Sequence, residues 1–178
     1  MKKGVIILGS SSSDGNTFKA AEYFSEKSGY PIIDLKTKKI GQFDYEFKNS
    51  DDDFLPLIRE IVDNYEILIF ATPVYWYTMS GVMKKFFDRI SDVLKIEKET
   101  GRKLNGKQMG VISCSWGPNL KDGFYMPFEE SANYLKMVYL GHVHSYTEND
   151  VVADSVKKNM DAFIDKIQSG PIPFSDHK

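Results

Sequence analysis

The sequence predicts an α/β fold in which helices cover both faces of an open parallel sheet. Continuous apolar runs rich in β-branched residues, typical of strands buried on both faces, recur along the chain. Segments with apolar residues at helical spacing separate these runs, and this alternation is typical of a parallel sheet. The length of 178 residues fits a single domain over residues 1–178.

The first predicted strand and helix follow the amino terminus. Val5–Leu8 is an unbroken apolar run, which predicts a buried strand. After a polar loop, Phe18, Ala21 and Phe24 share one helical face. Gly29–Pro31 predicts the end of this helix, because neither glycine nor proline continues a helix well.

The next segment predicts a short second strand at Ile32–Leu35, a polar surface excursion over residues 36–50, and a helix. The acidic run Asp51–Asp53 has two interpretations, a metal-binding cluster or a helix start. Apolar residues at helical spacing follow the run, and carboxylates suit the positive end of a helix dipole. We therefore favour the helix start.

A third buried strand is predicted at Ile67–Ala71, and the clearest amphipathic helix of the chain starts at about Met79. We expect its polar face to comprise Lys84, Lys85, Asp88 and Arg89. Asp88 and Arg89 are expected to pair on a surface or an interface rather than to catalyse.

The second half of the chain repeats the alternation. A charged loop over Glu97–Lys107 precedes a fourth strand at Met109–Cys114. A helix over about 126–136 leads to a fifth strand around Val138–Leu140, and a last helix starts at about Asp150. From about residue 170 we expect a mobile tail.

Composition excludes several functional classes. The net charge of −2 provides no broad basic field for nucleic acid or an anionic membrane. No apolar stretch approaches the roughly 20 residues of a membrane span, and the apolar start is too short for a signal peptide, so we expect a cytoplasmic protein. The single cysteine, Cys114, excludes a disulfide scaffold, and we interpret it as a core residue.

The loop after the first strand, Gly9–Thr17, combines four serines with a helix start. It is neither a Walker A loop nor a dinucleotide fingerprint. Its hydroxyls, the Asn16 amide and the free backbone N–H groups suit a phosphate dianion. Lys19 is expected to help at long range. A plain capping loop is the alternative.

The loop after the third strand, Thr72–Gly81, contains three consecutive aromatic residues. They cannot all enter one core from an irregular loop, so we expect them to flank a flat ring, to fill a dimer interface, or both. In the strand order 2-1-3-4-5, the first and third strands are neighbours at the switch point. One loop would then hold a phosphate and the other would flank a flat ring. FMN is a cofactor that combines these two groups.

Two motifs carry a family resemblance. They read Gly9-Ser10-Ser11-x-x-x-Gly15-Asn16-Thr17 and Thr72-Pro73-Val74-Tyr75-Trp76-Tyr77-x-Met79-Ser80-Gly81-x-Met83-Lys84-x-Phe86-x-Asp88-Arg89. The chain thereby resembles the NADPH-dependent FMN reductase and NAD(P)H:quinone oxidoreductase group of flavodoxin-like proteins. The resemblance implies a flavodoxin-like fold, bound FMN, a homodimer, and two-electron transfer from NADPH or NADH to a small-molecule electron acceptor such as a quinone or a flavin. It implies no catalytic side chain and no metal.

The resemblance also assigns binding roles by position. The residues assigned to the FMN phosphate are Ser10, Ser12, Asn16 and Thr17. Those assigned to the ring and its ribityl chain are Pro73, Val74, Tyr75, Trp76 and Tyr77. A third loop, after the fourth strand, departs from the Gly-Gly common in the family, and its candidate ring contacts are Ser115, Trp116 and Gly117.

The two histidines of the fifth strand have several interpretations. His142 and His144 are expected on one face of the fifth strand, as polar positions at a sheet edge; a metal pair and a proton donor to a quinone are the alternatives.

A flavodoxin-type electron carrier and a non-catalytic FMN-binding regulatory protein are the alternative functions of the whole chain. The modest negative charge and the Tyr-Trp-Tyr sequence favour the enzyme over the carrier.

Overall fold

The computed structural model describes residues 2–121 and 123–169. Its central sheet contains five parallel strands: β1 (Gly4–Leu8), β2 (Ile32–Asp34), β3 (Ile67–Tyr75), β5 (Gln108–Cys114) and β6 (Val138–Ser145). Their spatial order is β2-β1-β3-β5-β6, which confirms the predicted order of five parallel strands. Three two-residue strands were not predicted from the sequence. Of these, β4 (Thr78–Met79) pairs antiparallel with β3, and β7 (Thr147–Glu148) forms a separate hairpin with β8 (Val151–Val152).

Helices cover both faces of the sheet, as predicted. One face carries α1 (Asn16–Ser28) and α6 (Asp154–Gln168). The other carries α2 (Phe54–Asn64), α3 (Gly81–Lys95) and α5 (Met126–Tyr134), and the short α4 (Lys98–Arg102) follows α3. A cluster of buried apolar side chains fills each interface between helices and sheet, so the sheet is buried on both sides.

The start of α3 differs from the prediction. Met79 belongs to β4, where it pairs with Val74, and Ser80 is the N-cap of the helix. The helix therefore begins at Gly81 rather than at about Met79. The apolar stripe did not mark the boundary, because an apolar residue such as Met79 is buried whether it belongs to a strand or to a helix. In the structure, Met79 is buried as part of β4.

Three other boundaries differ as well. The helix expected from about Asp150 begins at Asp154, since Asp150 lies in the turn between β7 and β8. Residues 98–102 form α4 where the sequence predicted a charged loop. The helix predicted over about 126–136 ends at Tyr134. The tail expected from about residue 170 lies outside the described residues.

Arg89 is buried, with 1% of its side chain exposed, and the expected pairing with Asp88 is wrong. Its guanidinium bonds to the carboxylates of Asp52 and Asp92 at 2.5 and 2.7 Å. Asp88 instead pairs with Lys84 on the surface of α3. The run that includes Asp52 precedes α2, so the predicted helix start is confirmed, and this carboxylate also serves as the partner of a buried cation.

Within the two described ranges, every helix is too short or too polar to traverse a bilayer.

Candidate functional site

Three loops leave the carboxyl edge of adjacent strands. β3 lies between β1 and β5. The Gly9 N–H donates to the Ala71 carbonyl at 2.8 Å, and Pro73 of β3 pairs with Cys114 of the neighbouring β5. The serine loop after β1, the aromatic hairpin after β3 and the third loop after β5 therefore share one edge. In open α/β sheets this edge is where ligands bind.

The serine loop is held by short-range hydrogen bonds. Ser10 is buried, and its Oγ accepts a hydrogen bond from the Ser12 N–H at 3.2 Å. The Ser12 hydroxyl donates to the Asp14 carboxylate at 2.5 Å, and this bond lowers the pKa of Asp14. Ser12 must therefore turn away from Asp14 before its hydroxyl can donate to a phosphate.

The first turn of α1 completes this loop. Asn16 begins the helix, half-buried, where backbone N–H groups point out of the helix end. Thr17 is buried, with its hydroxyl beside the Cys114 thiol. Burial raises the pKa of Cys114, in agreement with its interpretation as a core residue. Lys19 turns away and bonds to the Asp150 carboxylate at 2.5 Å, so it contributes little charge to the loop.

The aromatic segment is a tight β-hairpin, where the sequence predicted an irregular loop. Tyr75 pairs with Thr78, and the two residues between them, Trp76 and Tyr77, have φ angles of 49° and 64°. Left-handed backbone at both central positions is the type I′ turn, which favours Asn-Gly. Bulky aromatic residues are strained in this conformation.

The aromatic side chains stay out of the core, as predicted. Tyr75, Trp76 and Tyr77 are 44%, 92% and 68% exposed. The two preceding residues of the predicted ring site differ from them, since Pro73 is buried within β3 and Val74 is half-buried.

Hydrogen bonds join the aromatic hairpin to the serine loop. The Ser80 hydroxyl donates to the Gly9 carbonyl at 2.5 Å and accepts from the Met83 N–H at 3.0 Å. Ser11 Oγ and the Tyr75 hydroxyl lie 2.8 Å apart. A Cβ on Gly9 would lie 2.7 Å from the Cβ of Met83, so this close approach requires glycine. Sequence reasoning missed Ser80, although a serine directly before an apolar helical stripe is an N-cap signal.

The third loop presents one fully exposed tryptophan. Trp116 is 97% exposed, and the Ser115 hydroxyl donates to the Gly117 carbonyl at 3.0 Å. His144 Nε2 lies 3.0 Å from the same carbonyl. The structure thus places two of the three predicted residues of this loop, Ser115 and Gly117, beside a histidine of the edge strand.

Both histidines line one cavity of about 460 Å³, so they share a face of β6 as predicted. The His142 ring stacks on Tyr125 with 3.4 Å between ring centroids, and its Nδ1 lies 3.2 Å from the Tyr139 hydroxyl. The Nδ1 of His144 lies 2.8 Å from Ser113 Oγ. Burial lowers the pKa of both imidazoles, which favours their neutral forms.

A sequence model of the NADPH-dependent FMN reductase family matches residues 2–152. The chain belongs to that family. It is an FMN-binding, NAD(P)H-dependent oxidoreductase with a flavodoxin-like fold, as the two sequence motifs predicted.

Named relatives agree with membership of the NADPH-dependent FMN reductase family. YwqN of Bacillus subtilis, described as an NAD(P)H-dependent FMN-containing oxidoreductase, is 31% identical over 156 residues, which cover 79% of this chain and 83% of YwqN. The structure of the Trp repressor binding protein from Bacillus subtilis matches with a TM-score of 0.72 and 25% identity, over 90% of this chain and 97% of the other.

A third relative shares the fold at lower identity. The FMN-dependent NADH-azoreductase from Bacillus anthracis, solved in complex with FMN, has a TM-score of 0.65 and 16% identity, over 95% of this chain and 98% of the other.

The residues at this edge of the sheet fit the chemistry of FMN. A phosphate needs hydrogen-bond donors without steric obstruction, and the serine loop offers hydroxyls and the helix end at Gly15 and Asn16. A flat ring needs apolar faces, and Trp76 and Trp116 leave theirs unburied at the ends of neighbouring strands.

Proposed function

We propose that this oxidoreductase passes electrons from NADPH or NADH to a small planar acceptor such as a quinone or a flavin. The observation that carries the proposal is the pair of exposed tryptophans, Trp76 and Trp116, at the carboxyl ends of adjacent strands. Exposed aromatic faces of this size bind flat molecules by apolar contact at a low cost in side-chain entropy. When bound, FMN supplies the electron transfer, and the chain binds and orients the reactants.

We further propose which residues hold the cofactor. Ser10, Ser12, Asn16 and Thr17 surround the phosphate at the N-terminus of α1, where the helix dipole favours a dianion. The segment from Pro73 to Tyr77 and the third loop, Ser115 to Gly117, flank the ring. The geometry supports this because hydrogen bonds from Ser80 and Tyr75 already join the first two loops.

The proposal is tested by mixing the FMN-loaded protein with NADPH under anaerobic conditions. We expect rapid bleaching of the yellow absorbance, and its return when a quinone or free flavin is added. Azo dyes, nitro compounds and chromate serve as comparison acceptors, and free FMN with NADPH is the control. Bleached protein that regains its colour with none of the planar acceptors would contradict the proposal.

Asn16→Ala is expected to weaken FMN binding about tenfold, because it removes one hydrogen bond to a charged group. Fluorescence quenching of FMN on titration with apoprotein measures the dissociation constant. The matched control is Asn64→Ala at the end of α2, where the amide bonds to the Glu60 carbonyl. Equal affinities for Asn16→Ala and the control would refute the phosphate assignment.

We also propose that the protein is a homodimer in which the exposed aromatic hairpin contributes to the interface. Tyr and Trp are enriched in protein interfaces, and Trp76 and Tyr77 are both largely exposed. Sedimentation equilibrium should give twice the mass of one chain, and a monomer at all accessible concentrations would exclude the proposal.

A further inference from the structure

A continuous set of hydrogen bonds leads from α5 to the third loop. The Tyr125 hydroxyl lies 2.6 Å from Ser113 Oγ, which lies 2.8 Å from His144 Nδ1. On the other side of the ring, His144 Nε2 lies 3.0 Å from the Gly117 carbonyl and 3.1 Å from Ser115 Oγ. These five residues are termed the imidazole chain.

The partners and the neutral form of the ring together fix the direction of the bonds in the imidazole chain. The Gly117 carbonyl can only accept, so His144 Nε2 carries the hydrogen. The Ser115 hydroxyl donates to the same carbonyl, so Ser115 Oγ accepts from Nε2. In the neutral ring, Nδ1 accepts from Ser113, and Ser113 accepts from Tyr125. One neutral tautomer of His144 therefore satisfies all the hydrogen-bonding groups of the chain.

The surroundings favour this neutral tautomer. Burial lowers the pKa of His144, which disfavours the imidazolium form. Burial also raises the pKa of Tyr125 to about 12, so the phenol keeps the proton that it donates to Ser113.

The third loop depends on His144 for support beyond its first residue. The Ser115 N–H donates to the Ser145 carbonyl at 3.0 Å, which anchors the start of the loop to β6. At Gly117, an added Cβ would meet no atom of the described residues within 4 Å, so side-chain packing does not fix this position. The Gly117 carbonyl is instead bonded to Ser115 Oγ and His144 Nε2.

We propose that His144 is a positioning residue for FMN binding, acting through the Nε2–H that holds Ser115 and Gly117 in place. The proposal rests on the proposed function, because it takes the third loop as part of the FMN site. It differs from a packing role for the ring, since it requires a donor at one defined position.

Two amide substitutions separate a donor at Nε2 from simple filling of space. The amide nitrogen of His144→Gln reaches about the place of Nε2, whereas that of His144→Asn reaches only about the place of Nδ1. We expect His144→Gln to keep the FMN dissociation constant within about threefold of the natural protein, and His144→Asn to raise it about tenfold, as for the loss of one buried hydrogen bond. His144→Phe, which fills the space without a donor, should resemble His144→Asn.

FMN fluorescence quenching gives the dissociation constants, and thermal unfolding of each apoprotein shows that it is folded. The nitrogen NMR spectrum of the apoprotein should show His144 as the Nε2–H tautomer. Equal affinities of folded His144→Gln and His144→Asn, or an Nδ1–H tautomer, would overturn the proposal. If the natural protein itself fails to bind FMN, the site assignment under the proposed function is wrong instead, so the two failures are distinguishable.

Discussion

Arg89→Met is expected to lower the free energy of unfolding by about 3–5 kcal/mol, because it leaves buried carboxylates without their cation. Asp92 is as buried as Arg89, and Asp52 is largely buried. Burial alone would lower the pKa of Arg89, but its hydrogen bonds to Asp52 and Asp92 outweigh that effect and raise it. The charged form is therefore the stable one in the folded protein.

The reason for the large effect is that Arg89 uses all five of its N–H donors. Nε bonds to Asp92, and the two terminal nitrogens bond to both oxygens of Asp52. The remaining donors reach the carbonyls of Gly41 and Asn49 at 3.2 and 2.8 Å. One side chain thus holds the excursion that precedes α2 against α3.

Chemical denaturation measures the loss, and Lys84→Met on the same helix is the matched control. Lys84 pairs with Asp88 at the surface, where such pairs contribute roughly 0–1 kcal/mol. Similar losses for the two variants would show that the buried cluster contributes no more than a surface pair.

The double variant Trp76→Asn with Tyr77→Gly is expected to raise the free energy of unfolding by about 1–3 kcal/mol. Both residues have left-handed backbone in a two-residue turn, for which Asn-Gly is the favoured sequence. Trp76 is almost fully exposed in the single chain, so its removal costs little apolar burial at a concentration where the proposed dimer is dissociated. Chemical denaturation of the apoprotein measures this gain.

The same double variant is expected to bind FMN about tenfold more weakly, because it removes aromatic surface from the proposed ring site. Stacking of a flat base on an aromatic side chain is worth about 1–3 kcal/mol, and a flavin ring is comparably flat. Trp116→Ala is the control for stability, since Trp116 is equally exposed and has ordinary backbone; it should show no gain. A double variant with a lower free energy of unfolding than the natural protein would contradict the proposed backbone strain at Trp76 and Tyr77.

The parallel sheet was predictable because its strands have the simplest signal. β1, β3 and β5 are apolar at nearly every position, since helices cover both of their faces. The short strands around the turns were not predictable, because two-residue strands such as β4 and β8 have no period. Arg89 was misassigned because its burial depends on Asp52 and on two carbonyls of a distant loop, which periodicity does not encode.

The site was predictable where neighbouring residues form it and not where tertiary contacts do. The serine loop and the aromatic run are continuous in sequence, so their residue types alone indicated an anion and a flat ring. The link from Ser113 to His144 depends on the register of β5 against β6, which places these residues side by side. Nothing in either segment alone shows that register.

The hydroxyl of Ser80 has a consequence for ligand binding. Because it bonds the Gly9 carbonyl and caps α3 at once, the chain fixes the serine loop against the start of α3 as it folds. A preorganised binding site loses little conformational entropy when a ligand binds. The apoprotein should therefore capture its cofactor largely as a rigid body, without first rearranging its backbone.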